Sequence, residues 1–145
     1  MRISMRADYG ARAMIDLAQH AGMGLIQSAS IANRQRIPES YLERLLAALR
    51  RAGLVRSVRG PSGGHELART PAAITLGDIW DALEGVSGSG SCMDDEYACN
   101  VSPNCVLQDV WRELEESSRQ ILHGNTLEQL ADRQARRRVQ ATYHI

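Results

Sequence analysis

The chain has 145 residues, 43% of them hydrophobic, with 17 basic and 17 acidic side chains, enough for one domain with a proper core and an appendage but not for two independent domains. No apolar run approaches the roughly 18 residues that cross a bilayer, and the opening Met1-Arg2-Ile3-Ser4 lacks the apolar stretch of a secretory signal, so no membrane partner and a cytoplasmic location are expected. The zero net charge conceals segregation, because residues 1–75 hold 11 Arg against 5 acids and residues 76–145 hold 6 Arg against 12 acids. The N-terminal half is therefore the candidate for phosphate contact.

From Asp8 to Ala21, Ala11, Met14, Ile15, Ala18 and Ala21 recur at helical spacing until Gly22-Met23-Gly24 stops them. Ser28 is placed to cap a short second helix to about Arg34. After Pro38, the positions Leu42, Leu45, Leu46 and Leu49 follow the i, i+3, i+4, i+7 rule of a third helix, which Gly53 closes. Leu54-Val55-Arg56-Ser57-Val58 then reads as a strand, Arg59-Gly60-Pro61-Ser62-Gly63-Gly64 as a turn, and His65-Glu66-Leu67-Ala68 as the returning strand. The expected fold is mainly α with a small β-hairpin wing: a winged helix-turn-helix over residues 1–84. Thr75 should cap the last helix of that unit, which Gly85 ends.

Periodicity is lost over residues 85–105, the segment that carries all three cysteines, Cys92, Cys99 and Cys105. A long amphipathic helix should follow, with Leu107, Val110, Trp111, Leu114, Ile121 and Leu122 on one face, suited to contact between two copies of the chain. Thr126-Leu127-Glu128-Gln129 has the pattern of a capping box and opens a short final helix, so residues 106–132 form the dimerisation part. Residues 133–145, with Arg136-Arg137-Arg138, are expected as a mobile tail.

Two constellations can carry chemistry. In a helix-turn-helix the start of the second helix enters the major groove, which places Ser40, Tyr41, Glu43 and Arg44 near base edges. Glu43 can accept from a cytosine amino group and Arg44 can reach guanine or phosphate. Arg59 and Gly60 at the hairpin tip can meet a phosphate or enter the minor groove. Of the four histidines, His65 reads as a wing residue near phosphate, and His20, His123 and His144 read as surface residues. The second constellation is the Cys-x6-Cys-x5-Cys spacing, wider than the gaps of zinc knuckles and unlike ferredoxin runs, in a polar segment with Asp94, Asp95 and Glu96. An iron–sulfur cluster suits three such thiolates, with zinc or a thiol–disulfide switch as rivals. No cysteine has an adjacent His, and no Gly-rich phosphate loop opens a helix, so an enzyme is not expected.

These residues also resemble a known family. Met1-Arg2-Ile3-Ser4, Asp8-Tyr9-Gly10-x-Arg12-Ala13-Met14, Tyr41-Leu42-Glu43-x-x-Leu46, Gly53-Leu54-Val55-x-Ser57-Val58-Arg59-Gly60-Pro61-x-Gly63-Gly64 and Ile74-Thr75-Leu76-x-Asp78-Ile79 are similar to the IscR, NsrR and RirA family of winged-helix regulators, over nearly the whole chain. The resemblance implies a homodimer on palindromic double-stranded DNA, with one iron–sulfur cluster per subunit that responds to iron, cluster supply, nitric oxide or redox state. Members of the IscR type supply a His three residues after the last cysteine, where this chain has Gln108. Members of the NsrR type can use an acidic residue at the start of the first helix, donated across the dimer, and Asp8 occupies that position. The implied ligand set is Cys92, Cys99, Cys105 and Asp8, with 4Fe-4S favoured over 2Fe-2S. Asp8 can equally serve only its own helix, where a carboxylate favours the dipole.

Overall fold

The computed structural model describes residues 2–85 and 105–144. Its first helix, α1 (Met5–Gln19), starts three residues before the expected Asp8 because the Ser4 side chain accepts from the Ala7 N–H and caps it. Helix α2 (Ser28–Gln35) has Gln27 rather than Ser28 at its N-cap, and it ends on Arg36 in the left-handed conformation. The turn that follows is short. Ile37 is buried and donates back to the Ala32 carbonyl at 3.0 Å, and the Pro38 carbonyl accepts from Leu42 at 2.9 Å to open α3 (Glu39–Arg51). Leu42, Leu45, Leu46 and Leu49 of α3 are all buried, the stripe that the periodicity predicts.

Gly53, at a φ of 76°, turns the chain out of α3 into β1 (Val55–Val58). Strand β2 (Gly64–Leu67) returns antiparallel, pairing Val55 with Leu67, Arg56 with Glu66, Ser57 with His65 and Val58 with Gly64. A Cβ at Gly63 would overlap the Val58 carbonyl, so this tight tip requires glycine. An antiparallel bridge between Ile26 and His65 anchors the hairpin along β2.

A single 3-10 turn (Pro71–Ala73) leads to α4 (Leu76–Glu84), which opens with a complete capping box between Thr75 and Asp78 and ends on Gly85. Helix α4 packs against α1 so closely that a Cβ at Gly10 would overlap the Leu83 side chain. One contiguous core gathers Met14 and Leu17 of α1, Ile31 of α2, the α3 leucines, Leu54, Val55, Ile74, Ile79, Leu83 and Leu127.

Helix α5 (Val106–His123) lies against α4, and α6 (Leu127–Tyr143) lies against α1 and the 3-10 turn. The expected capping box is complete, with Thr126 accepting from Gln129 and the Gln129 side chain accepting from Thr126. This second cap is joined to the first by a Thr75–Thr126 bridge, with Leu76 donating to Asn125 at 2.8 Å and Leu127 to Ile74 at 2.9 Å. Residues 133–143, expected as a mobile tail after a short helix, instead continue α6 to 17 residues. The reason is local: between Leu127 and Tyr143 there is no Gly or Pro, and Arg, Gln and Ala are good helix formers.

Candidate nucleic-acid interface and cysteine segment

The expected contact residues fall on the first turns of α3 and on the hairpin tip. Ser40, Glu43 and Arg44 are exposed in the first turns of α3, and Arg59 and Gly60 are exposed at the wing tip. Tyr41, expected beside them, is half-buried: its ring meets Tyr9 of α1 edge-on, with centroids 6.0 Å apart. Tyr41 therefore fastens the start of α3 to α1 while its neighbours face solvent.

The sequence reading missed how the helix-turn-helix is held. Asp16 of α1 is fully buried, accepting from Arg34 Nε at 3.0 Å, Arg34 Nη2 at 2.7 Å and Gln35 Nε2 at 2.9 Å. Burial pushes its carboxyl up, but the hydrogen bonds from Arg34 and Gln35 and the charges of Arg34 and His20 outweigh it and hold the pKa below the usual value. His20, expected at the surface, is part of this cluster, with Nδ1 at 2.7 Å from the Asp16 carbonyl. The Arg34 to Asp16 fork ties α2 to α1 and so sets where α3 stands.

The wing is tied down separately. His65 lies between helix and hairpin, with Nε2 at 2.8 Å from Ser28 Oγ and Nδ1 at 2.7 Å from Ser57 Oγ. It is a wing residue, on β2, half-buried and bonded on both sides. Desolvation lowers its pKa, aided by Arg50 and opposed by Glu43. Gln27 Nε2 also donates to the Pro61 carbonyl at 3.3 Å, near the wing tip. Ser28 and His65 are 37 positions apart, so no local pattern in the sequence announces the contact.

Asp8 lies in the first turn of α1, half-exposed, and its carboxylate pairs with Arg12 at 3.4 Å. Arg12 also bonds the Gln35 carbonyl at the end of α2 and lies 5.2 Å over the Tyr9 ring. Asp8 is thus one side chain away from both the α2 end and the Tyr9–Tyr41 contact. Cys105 is a partly exposed free thiol at the N-cap of α5, whereas Cys92 and Cys99 lie outside the described residues. Among the described residues no group of three or more His, Cys, Asp and Glu is gathered to hold a metal ion. The donor set still suits an iron–sulfur cluster: Cys105 has the softness and access of a thiolate ligand, and Asp8 offers a solvent-facing carboxylate held by one long ion pair.

His123, also expected at the surface, closes the far end of α5. Its ring packs where a Gly77 side chain would stand, with Nδ1 at 3.2 Å from Thr75 Oγ1 and Nε2 at 3.5 Å from Asp81 Oδ2.

Two helices joined by a tight turn, followed by a two-stranded wing, define a winged-helix DNA-binding protein. The chain belongs to the Rrf2 family of iron-dependent transcriptional regulators, whose family model matches residues 3–133. It is similar to the HTH-type transcriptional regulator IscR of Yersinia enterocolitica, 37% identical over 134 residues that span 92% of this chain and 81% of that one. Among solved structures, CymR, the global cysteine regulator of B. subtilis, matches with a TM-score of 0.75 at 38% identity, covering 91% of this chain and 97% of its own. The structure of T. potens IscR matches with a TM-score of 0.73 at 40% identity, covering 91% and 87%. The family resemblance and the winged-helix fold read from the sequence both stand, and the chain is a transcriptional regulator, not an enzyme. No helix among the described residues is long and apolar enough to cross a membrane.

Proposed function

We propose that this regulator binds a palindromic DNA operator as a cytoplasmic homodimer and reports the state of an iron–sulfur cluster held on Cys92, Cys99 and Cys105. The exposed set on α3 and the wing supports the DNA part. Ser40, Glu43 and Arg44 are free to meet base edges while Tyr41 is turned inward, and Arg59 with Gly60 can approach a phosphate or the minor groove. The apolar face of α5 supports the dimer: Val106, Leu107, Val110, Trp111, Leu114 and Ile121 are each at least 44% exposed. The functional parts are residues 1–84 for DNA, 85–105 for sensing and 106–132 for dimerisation.

The observation that carries the sensor reading is three cysteines confined to 14 residues of a chain with no other. Asp8 of the partner subunit completes the ligand set, which favours a 4Fe-4S cluster, and a carboxylate ligand leaves one iron exchangeable. Such a cluster, when bound, supplies a centre that iron scarcity, oxidants or nitric oxide can change. The protein's own contribution is the Asp8–Arg12 pair: whatever engages the Asp8 carboxylate alters Arg12, which holds the Gln35 carbonyl and the Tyr9 ring beside α3.

A second reading, a cluster-free thiol regulator, is favoured by the likeness to CymR, a cysteine regulator. Anaerobic isolation separates the two. Visible absorption with iron and sulfide in stoichiometric amounts, lost on replacing any one cysteine with Ala, supports the cluster. A colourless protein whose operator affinity changes with thiol oxidation supports the second reading, and zinc without sulfide overturns both.

A further inference from the structure

The last three turns of α6 leave the body of the chain. Leu127 and Ala131 are buried, but every residue from Asp132 to His144 is exposed. An isolated helix of this length is marginal in water and gains its stability from an amphipathic face packed on something else. Such a face is present. Ala135, Val139 and Tyr143 follow one another at i, i+4 spacing, and Arg136 and Arg138 flank that stripe on its two sides. Val139 is 55% and Tyr143 85% exposed. Among the described residues, no ion pair engages Arg136, Arg137 or Arg138. The family model ends at residue 133, so this basic stripe lies beyond the part of the chain that the family defines.

Helix α5 carries the complement. Its six exposed apolar side chains span an arc of about 140° at 3.6 residues per turn, broader than the narrow seam a single facing helix covers. Along one edge of that arc run Asp109, Glu113 and Glu116, at i, i+4 and i+7. Within one chain α5 rests on α4 and α6 on α1, so the acid-edged face and the arginine-flanked stripe do not cover each other.

We propose that the C-terminal end of α6 docks on α5 of a second copy of this chain, with Ala135, Val139 and Tyr143 against its apolar face and, of the two arginines on either side of that stripe, the one facing the acidic edge paired with its carboxylates. The inference rests on the homodimer reading and adds a second helix to each side of that interface. A DNA backbone would satisfy the arginines but leave Val139 and Tyr143 in water, whereas α5 accommodates both.

Sedimentation equilibrium of the full chain tests this at fixed salt, with circular dichroism to confirm that each variant keeps its helices. Arg136→Glu/Arg138→Glu should raise the dimer dissociation constant at least tenfold, and Val139→Asp should do the same without changing the arginines. Adding Glu113→Arg/Glu116→Arg to the first variant should restore the constant to within about threefold of wild type, the signature of a direct charge pairing. A wild-type chain that remains monomeric overturns the homodimer reading itself. A wild-type dimer that all these variants leave unchanged overturns only the docking of α6. Variants that keep the dimer intact but weaken binding to all DNA sequences alike, with a smaller salt slope, overturn it in favour of a phosphate contact.

Discussion

Asp16 is the residue on which the placement of the recognition helix depends, and removing it should be costly. The carboxylate is fully buried and holds three hydrogen bonds, two of them the fork from Arg34. Breaking a buried ion pair by deleting one partner costs about 3–5 kcal/mol, because the other charge is left without compensation. Here the Arg34 side chain is 35% exposed and can rehydrate, so Asp16→Ala should lie near the lower end, about 3 kcal/mol. With a urea slope of about 2 kcal/mol/M, the unfolding midpoint should fall by about 1.5 M. A double-mutant cycle with Arg34→Ala, at one protein concentration, should give a coupling of about 1–3 kcal/mol. The pH dependence has a definite sign. The folded-state pKa of Asp16 lies below 3.8, so its contribution is present above that value and is lost as pH falls through the folded pKa. Asp16→Asn should lack this acid-labile component. A coupling under about 0.5 kcal/mol, within the error of additive sites, would show that the fork does not hold α2 to α1.

Arg59→Ala should weaken operator binding by about 1–3 kcal/mol if the wing reads a base or a narrow groove, and should lower the salt slope; titrations at several salt concentrations check this, and an unchanged affinity removes the wing from the interface. Glu43→Ala should relax the preference between cognate and mismatched sites more than it changes overall affinity, since a carboxylate near phosphates is tolerated only where a base donor satisfies it; an unaltered preference means α3 docks in another register. His65→Ala removes two hydrogen bonds worth about 0.5–1.5 kcal/mol each, so the Ile26–His65 amide hydrogens should exchange about tenfold faster while those of the α1 core keep their rates. Because the folded-state pKa of His65 is below 6.5, the protection of those amides in the wild type should be greatest above that value and decline as pH falls through the folded pKa. A flat profile would mean that the imidazole does not fasten the wing.

The elements whose burial is periodic were legible from the sequence. The α3 leucines, the Thr75 and Thr126 caps and the turn glycines each impose a local rule, and the structure obeys all of them. What escaped were contacts between positions far apart in the chain. Asp16 and Arg34 are 18 residues apart and Ser28 and His65 are 37 apart, so neither contact leaves a mark in a local window of sequence. The same limit explains His65 and His123, which acquire their partners only when separate elements meet. The α6 extension was missed for a different reason. Apolar periodicity fades after Ala131, although the helix propensity of Arg, Gln and Ala favours an ordered segment.

The arrangement of caps suggests how the sensing and DNA-binding parts are joined. In the sequence, residues 86–104 join Gly85 at the end of α4 to Cys105 at the start of α5. The two helices are not independent. His123 at the far end of α5 lies over Gly77 and beside Thr75 and Asp81, in the first two turns of α4. Helix α5 is thereby held to α4 at one end, while its other end leads out of the cysteine segment. Helix α4 packs in turn on α1 and α3, and a Cβ at Gly10 would overlap Leu83, so there is little slack at the α1 contact to absorb a displacement. A tilt of α5 that began at Cys105 would therefore pivot about His123 and be passed through α4 to the body that carries α3. In the proposed homodimer, where α5 would face its counterpart, the same tilt would change the separation of the two α3 helices, the quantity that a palindromic site of fixed spacing discriminates.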